Sequence, residues 1–182
     1  VAAWMNSRLW TCRSHQPDAI MDDVWLGRMP SRNEMRKNGF AGLCDLTAEL
    51  PSPLGDWKTA SLPCLDLVPA DGAHLRRAAE YIEFSRRNGK LLVCCALGYS
   101  RGASAVAAWL LLSGRAATVE EACAMIASRR PRVVMGAAQQ AALRAALADG
   151  MIVDRSLDPT SNPQTSHAAE VGPEWVKAQS GD

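Results

Sequence analysis

Apolar residues along this chain fall into short continuous runs and into longer stretches with helical spacing. The most apolar short run, Leu91-Leu92-Val93-Cys94, predicts a buried β-strand. The Ala- and Leu-rich residues 102–112, which follow it after a short loop, predict a helix surrounded by protein. Further strands are predicted at 24–26, 40–46 and 61–67, and further helices at 32–38, 73–88, 118–128 and 137–148.

Strands that alternate with helices in this way predict an α/β fold, in which helices flank a mostly parallel central sheet. Open sheets of this kind bind their ligands at the carboxyl ends of the strands. The loop at residues 95–101 lies at such an end, between a central strand and a helix. The sequence therefore predicts that the functional site is built on this loop.

Composition separates three parts of the chain. Residues 1–20 have no clear hydrophobic period and are predicted to form an N-terminal arm or the stub of an upstream segment. Residues 21–150 carry the predicted strands and helices and are predicted to form the domain that holds the loop. Residues 151–182 are rich in Ser, Pro, Asp, Asn and Gln, which predicts a disordered C-terminal tail.

The composition of the whole chain narrows the partners to be expected. A 182-residue chain with 48% hydrophobic and 21% charged residues has the values of a globular domain. A formal net charge of +1 gives no reason to expect nucleic acid as a partner. The six cysteines show neither metal-ligand spacing nor a disulfide framework, so we expect no metal and a reducing, cytoplasmic location. The longest apolar run, residues 103–112, is too short to cross a bilayer, so contact with the inner face of a membrane is expected only through a missing upstream segment.

Two side chains of the loop indicate a reaction with an anionic ester. A strand–loop–helix junction directs free backbone N–H groups and the positive end of the helix dipole to one place. Cys95 stands at the mouth of that place, and we expect its pKa to be lowered so that the thiolate is a nucleophile. Arg101 can hold two phosphate oxygens with its planar guanidinium. The predicted phosphate-binding residues are Ala96, Leu97, Gly98, Tyr99, Ser100 and Arg101.

The segment Cys95-Ala-Leu-Gly-Tyr-Ser-Arg101 resembles the CxxGxxR loop of cysteine-dependent protein tyrosine phosphatases, and of their dual-specificity branch in particular. The likeness extends from about Val24 to about Leu147. It includes two segments that resemble bacterial members, Val24-Trp-Leu-Gly-Arg-Met-Pro30 and Asp45-Leu-Thr-Ala-Glu49. The resemblance implies a protein tyrosine or dual-specificity phosphatase that forms a phosphocysteine and needs no cofactor. Its expected substrate is a phosphorylated protein, with a lipid or a small phosphomonoester as the alternative.

The resemblance also implies a general acid, because an alkoxide leaves poorly unless a proton reaches it. In the family an Asp on a separate loop supplies this proton. Asp66, at the C-terminal end of the predicted strand 61–67, is the candidate for this catalytic role here. Asp71 is the second candidate, but its place before a helix favours an N-cap.

Two positions depart from the family pattern. The residue before the nucleophile is usually His and is Cys94 here, and the residue after the arginine is usually Ser or Thr and is Gly102 here. The Ser or Thr hydroxyl assists the release of the cysteine from the phosphoenzyme. We therefore expect phosphocysteine to form normally and to be hydrolysed slowly, which rapid-quench kinetics would show as a burst of product.

Several alternatives remain open from the residues alone. The two departures are compatible with a phosphate-binding pseudophosphatase, and a loop cysteine after a strand also occurs in rhodanese-type sulfurtransferases. Tyr99 either stacks on an aromatic substrate or only packs. Arg129 and Arg130 are better explained as solvated charges at a helix end than as part of the phosphate pocket.

Overall fold

Strands and helices alternate along most of residues 16–148 and 150–151, which are the residues that the computed structural model describes. The strands are β1 (Asp18–Met21), β2 (Val24–Arg28), β3 (Gly42–Thr47), β4 (Lys58–Cys64) and β5 (Leu91–Cys95). The helices are α1 (Arg32–Asn38), α2 (Gly72–Ser85), α3 (Arg101–Leu112), α4 (Val119–Arg129) and α5 (Ala137–Leu147), with a 3-10 turn at Arg86–Asn88. The predicted tail from residue 152 onward, and residues 1–15 of the predicted arm, lie outside the described residues.

The five strands form one sheet in the order β1-β2-β5-β3-β4. Strand β5 runs parallel to both of its neighbours, with Val93 opposite Leu26 on one side and Cys44 on the other. Strands β3 and β4 are also parallel, and only β1 is antiparallel to its neighbour. The predicted α/β fold with a mostly parallel central sheet is therefore confirmed. Because β5 is the central strand and all five of its residues are buried, the loop that follows it starts from the core of the domain.

Strand β1 was not predicted, because residues 1–20 lack a clear period. It is only four residues long and is joined to β2 by a two-residue turn, Asp22-Asp23. Both residues of the turn have positive φ, 45° and 61°, as tight hairpin turns require. Turns of this type usually carry Asn-Gly or Asp-Gly, and Asp22-Asp23 does not match either pattern.

Strand β4 is shifted from its predicted position. It covers Lys58–Cys64 instead of 61–67, and the chain turns directly after it. Leu67, which was expected to continue the strand, has a φ of +62°, a left-handed conformation that no strand contains. The last three predicted strand residues therefore form a turn at the edge of the sheet where β5 also ends.

Side-chain caps stabilise the N-termini of several helices, at Ser31, Asp71 and Thr118. Ser31 and Glu34 form a reciprocal capping box at the start of α1, which ends at a left-handed Gly39. Helix α3 is buried along its whole length, which confirms the prediction of a helix surrounded by protein. Among the described residues, no helix combines the length and apolar composition that a membrane span requires.

Candidate active site

Strand β5 ends with Cys95 at the carboxyl edge of the sheet, and this residue is only 2% exposed. The chain then forms a tight loop and enters α3 at Arg101. Gly98 makes this loop feasible in two ways. Its φ of +72° is a conformation that side chains disfavour, and a Cβ at this position would lie 2.4 Å from the carbonyl carbon of Gly27. The loop is therefore packed directly on the backbone of β2, and only glycine fits.

Three carbonyl oxygens of the loop point outward and are hydrogen-bonded to the surrounding protein. They are Ala96 O, which accepts from Met29 N at 3.4 Å, Gly98 O, which accepts from Arg130 Nε at 2.8 Å, and Tyr99 O, which accepts from Val134 N at 2.8 Å. In a trans peptide unit the N–H points opposite to the C=O. The N–H groups of Leu97, Tyr99 and Ser100 are therefore directed to the inside of the loop. An oxyanion placed there meets several donors at once.

The N-terminus of α3 adds to this positive site. Its N-cap residue, Ser100, makes no capping hydrogen bond with its side chain. The Ser100 hydroxyl instead lies 3.5 Å from Nε2 of Gln139, in the first turn of α5. The free N–H groups at the start of α3 are thus left for a ligand, and the helix dipole favours an anion at this end.

Arg101 is buried and held by carboxylates. Its Nη1 and Nη2 atoms donate to the two oxygens of Glu49 at 2.7 and 2.6 Å, and Nη1 also donates to Cys64 O at 3.0 Å. The hydrogen bonds from Arg101 lower the pKa of Glu49, and the same bonds raise the pKa of Arg101. The guanidinium is therefore permanently charged and fixed in direction next to the loop.

Asp66 was predicted to lie at the C-terminal end of a strand. In the structure it lies in the turn after β4. Its side chain is 65% exposed, and Oδ1 lies 3.4 Å from Nη2 of Arg101. The structure thus brings two of the predicted catalytic residues together across 35 positions of sequence. Asp71 accepts a hydrogen bond from His74 N at 2.7 Å and caps α2, so the capping interpretation is confirmed.

The turn of Asp66 and the cysteine loop border a cleft of about 320 Å³. Its polar lining consists of the Arg101–Asp66 pair together with Ser100, Ser104 and Gln139. The rest of its lining is mostly apolar and comes from the turn after β4, the loop, and the segment before α5: Leu67, Val68, Pro69, Leu97, Tyr99 and Val134. A ligand with an anionic end and an apolar or aromatic body suits this division.

A family model for the catalytic domain of dual specificity phosphatases matches residues 24–147, the stretch that contains strands β2 to β5 and this loop. The chain belongs to the dual-specificity phosphatase family. It is accordingly a cysteine phosphatase of the protein tyrosine or dual-specificity type, and it acts on phosphorylated substrates.

Solved structures that are similar to this chain support its assignment to the dual-specificity phosphatase family. Tk-PTP in its active form is 26% identical, with 72% of this chain and 95% of that one covered and a TM-score of 0.65. Human DUSP28 is 20% identical, with 74% and 95% covered and a TM-score of 0.65. PTPMT1 in complex with PI(5)P is 20% identical, with 71% and 93% covered and a TM-score of 0.64. The last two likenesses concern the fold. Among curated proteins no match was found.

The first departure of this phosphatase from the family pattern has a packing explanation. Cys94 belongs to a buried cluster with Met35, Phe40 and Leu43, and its thiol lies 3.9 Å from Oδ1 of Asp45. Burial, together with the charge of Asp45, raises the pKa of Cys94 well above its usual value. Cys94 is therefore a neutral thiol that fills space on one side of the sheet.

The other cysteines of the sheet are similar. Burial raises the pKa of Cys64 to about 11, and it raises the pKa of Cys44 further. Both thiols are neutral at physiological pH, so Cys44, Cys64 and Cys94 all contribute packing to the sheet.

The second departure from the family pattern, the glycine at position 102, also has a packing explanation. A Cβ at Gly102 would lie 3.0 Å from Cδ1 of Leu26, a fully buried side chain of β2. The space that a Ser or Thr side chain needs here is thus partly taken by Leu26. The expected slow hydrolysis of phosphocysteine stays a prediction, as do the roles of Cys95, Arg101 and Asp66 and the absence of a cofactor.

Sequence reasoning missed two residues that shape the site and misjudged a third. Glu49 stands in the segment that carried the resemblance, yet nothing local indicated that it pairs with Arg101. Gln139 was part of a predicted helix and reaches the loop only through the fold. Arg130 was interpreted as a solvated charge, and this was wrong, because it is 3% exposed and bonded to the loop.

Proposed function

We propose that this phosphatase removes phosphate from proteins, with phosphotyrosine as its preferred residue and phosphoserine or phosphothreonine as further substrates. The observation that carries the proposal is the loop in which three outward carbonyls leave the N–H groups of Leu97, Tyr99 and Ser100 directed inward. The apolar walls of the cleft, which include Leu67 and Tyr99, match the ring of a phosphotyrosine. A reducing compartment fits the free thiols of the described residues, because the reaction needs a reduced cysteine.

In the first step the inward N–H groups and the guanidinium of Arg101 hold the phosphate oxygens. The Cys95 thiolate attacks phosphorus in line, an S–P bond forms, and the P–O bond to the substrate residue breaks. Asp66 gives its proton to the departing oxygen, which leaves as a neutral hydroxyl. The contact of 3.4 Å between Asp66 and Arg101 supports this role, since it keeps the carboxyl beside the phosphate-binding end of the cleft.

In the second step Asp66, now ionised, takes a proton from water. The water oxygen attacks phosphorus, the S–P bond breaks, and the thiolate and inorganic phosphate are released. The N–H groups and Arg101 stabilise the charge on the three equatorial oxygens in both steps.

A pH–rate profile with an aryl phosphate tests this scheme. The wild type is expected to give a bell-shaped profile, and Asp66→Asn a lower one without the basic limb. Cys95→Ser is expected to abolish turnover. Activity that survives in Cys95→Ser, or a basic limb that persists in Asp66→Asn, would contradict the assignment of the two residues.

The substrate class is tested by comparing phosphotyrosine and phosphoserine peptides with vesicles that contain a phosphatidylinositol monophosphate. The relative PTPMT1 was crystallised with PI(5)P. In this chain, however, residues 96–100 of the loop carry no Lys or Arg that would serve further phosphates inside the cleft. We expect kcat/KM to be higher for the peptides, and a higher value for the vesicles would overturn the proposed substrate.

A further inference from the structure

The turn after β4 holds a leucine in an unfavourable conformation. Leu67 has a φ of +62° and is 93% exposed. In the described part of the chain the other non-glycine residues with positive φ are Asp22 and Asp23, and aspartate tolerates this conformation much better than leucine does. The side chain of Leu67 makes almost no packing contact that would offset the cost. A strained residue of this kind beside an active site indicates a functional contact, which here forms when a ligand binds.

The apolar lining of the catalytic cleft has two levels of exposure. Half-buried residues form its interior: Pro69, Ala70, Leu97 and Tyr99. Exposed residues form what we call the apolar rim: Leu67, Val68 and Val134, which are 93%, 54% and 60% exposed. The rim is continuous with the cleft. A substrate whose phosphorylated side chain enters the cleft therefore brings its neighbouring residues against the rim.

Both parts of the rim are fixed to the cysteine loop. Val134 N donates to Tyr99 O at 2.8 Å. Arg101 holds the turn that carries Leu67, because its Nη1 donates to Cys64 O at 3.0 Å and its Nη2 lies 3.4 Å from Oδ1 of Asp66. The rim thus has a set position relative to the phosphate site before a substrate arrives, which lowers the cost of binding to it.

The chemistry of the rim suits an apolar partner. Its three side chains are aliphatic, and the charged side chains that line the cleft, Arg101 and Asp66, pair with each other. A polar residue placed on the rim would lose water without gaining a partner. An apolar residue placed there gains free energy, because apolar surface on both sides is removed from water.

We propose that the apolar rim binds an apolar side chain that lies within two residues of the phosphotyrosine, so that the phosphatase selects substrates with a leucine-like residue there. This rests on the proposed function and adds a sequence preference to it. An extended peptide advances about 3.3 Å per residue, so residues this close to the phosphotyrosine stay near the mouth of the cleft. Leu67 and Val134 are the residues that determine the specificity.

The composition of the rim favours a peptide over a lipid surface. Segments that bind membrane surfaces usually combine apolar residues with Lys, Arg and Trp on an amphipathic helix. The rim residues lie in a turn and in a loop, and they include neither an aromatic nor a basic residue. Three aliphatic side chains beside a cleft match the size of one peptide side chain instead.

Matched phosphotyrosine peptides of one sequence test the proposal. The reference peptide has glutamine at positions −2, −1, +1 and +2 from the phosphotyrosine, and each test peptide has leucine at one of them. We expect kcat/KM of the wild type to be about 5- to 20-fold higher for at least one leucine peptide, the range for partial burial of one leucine side chain. Raising the salt concentration should leave this preference intact, whereas a preference based on ion pairs would weaken.

One double variant locates the effect. In Leu67→Asn combined with Val134→Thr, the ratio of leucine to reference peptide should fall to near one. Asparagine tolerates the left-handed conformation, and threonine keeps the shape of valine and the backbone N–H that bonds to Tyr99 O. Because both replaced side chains are exposed, the urea midpoint should stay at or above that of the wild type. Leu54→Asn is the matched control, since Leu54 is 84% exposed but lines no part of the cleft, and it should keep the wild-type ratio.

A wild-type ratio near one at all positions, or a preference that the double substitution leaves unchanged, would overturn the proposal while the phosphatase reaction stands. A large fall in the urea midpoint of the double variant would also overturn it, because the rim would then serve the fold. The same holds if wild-type protein sediments with vesicles of phosphatidylcholine and phosphatidylserine, the double variant does not, and no peptide preference exists, since the rim would then bind a lipid surface.

If neither the peptides nor an aryl phosphate is hydrolysed, the proposed function fails instead. Binding of the same peptides to Cys95→Ser, measured by fluorescence anisotropy, then still decides whether the rim selects apolar neighbours.

Discussion

The molecule contains two clusters of arginine and carboxylate groups that are built in opposite ways. At the end of α2 a carboxylate, Glu83, is buried in the centre and accepts from Arg86 Nε at 2.8 Å, Arg115 Nη1 at 3.2 Å and Trp109 Nε1 at 2.7 Å. At the cleft a cation, Arg101, is buried in the centre, and its partners Glu49 and Asp66 are 35% and 65% exposed. The same kinds of residue are thus arranged once around an anion and once around a cation.

The difference indicates what each cluster is for. The partners of Glu83 surround it, so this carboxylate is not open to exchange with a ligand. The partners of Arg101 are open to water, so a substrate phosphate can compete for the guanidinium without leaving a buried charge unpaired. An exposed pair of this kind contributes little stability, whereas removing one partner from a buried cluster is strongly destabilising because a buried charge is left uncompensated.

Among substitutions in the two arginine–carboxylate clusters, the largest effect is expected from Arg101→Lys. Lysine keeps the charge but loses the planar group that holds two phosphate oxygens. We expect kcat/KM for an aryl phosphate to fall by about 10²–10³-fold, the cost of losing one donor to the transition state. Chemical denaturation should show a fold that remains cooperative. A lysine variant with nearly full activity would show that the guanidinium does not contact the phosphate.

A matched pair of substitutions, Glu83→Gln and Glu49→Gln, separates the two clusters. Glu83→Gln should lower the free energy of unfolding by about 2–3 kcal/mol, because the half-buried Arg86 and Arg115 lose the charge of the buried Glu83, and kcat/KM should stay near that of the wild type. Glu49→Gln should lower kcat/KM by about tenfold through a less firmly held Arg101, with a loss of less than about 1 kcal/mol in stability. Urea denaturation and aryl phosphate kinetics on both variants give the four values. If Glu83→Gln mainly lowered kcat/KM and Glu49→Gln mainly lowered the free energy of unfolding, the comparison of the two clusters would be wrong.

Acid should act on the Glu83 cluster in a defined range. Burial alone would raise the pKa of Glu83, but the hydrogen bonds from Arg86 and Trp109 and the charge of Arg115 outweigh it and bring the pKa from 4.5 to about 2. A carboxyl with a lowered pKa in the folded state stabilises the fold above pH 4.5 and loses this contribution as the pH falls towards 2. The contribution is about 3 kcal/mol.

Urea denaturation at a series of pH values between 5 and 2 measures this loss. Glu83→Gln should flatten the part of the profile that belongs to this group, whereas Glu49→Gln should change it little. An unchanged slope in Glu83→Gln would show that other carboxyls carry the acid sensitivity.

The smallest effect is expected at the position after Arg101. Gly102→Ser restores the hydroxyl that other family members carry, and Leu26 must shift by a few tenths of an ångström to admit it. We expect the steady-state rate to rise a few-fold because phosphocysteine is hydrolysed faster, and the burst seen in rapid-quench experiments to shrink. Gly102→Ala, which adds the same Cβ without the hydroxyl, is the control. An equal effect of both substitutions would point to packing and not to the hydroxyl.

The sequence was informative wherever the structure depends on neighbours along the chain. The strand β5, the loop after it and the start of α3 are contiguous, so apolar pattern, glycine and the spacing of Cys95 and Arg101 indicated them together. The caps at Ser31 and Asp71 are equally local. Strands, loops and helix caps that depend on residues within about a dozen positions can be predicted from those residues.

Contacts between distant parts of the chain could not be predicted in this way. Glu49 and Arg101 are 52 positions apart, and Asp18 and Arg130 are 112 apart. Neither pair has a local signature, because their distances are set by the order of strands in the sheet. The shift of the turn that carries Asp66 has a similar origin, since the pairing of β4 with β3, and not its apolar pattern, decides where that strand ends.

Trapping of the phosphoenzyme tests the central claim most directly. Wild-type protein is mixed with an aryl phosphate, quenched within milliseconds, digested and examined by mass spectrometry. We predict that one phosphoryl group is found on the peptide that contains Cys95, that it is absent in Cys95→Ser, and that it accumulates in Asp66→Asn, which cannot activate water. A phosphoryl group on any other residue, or full turnover with no phosphorylated peptide at any time, would contradict the account.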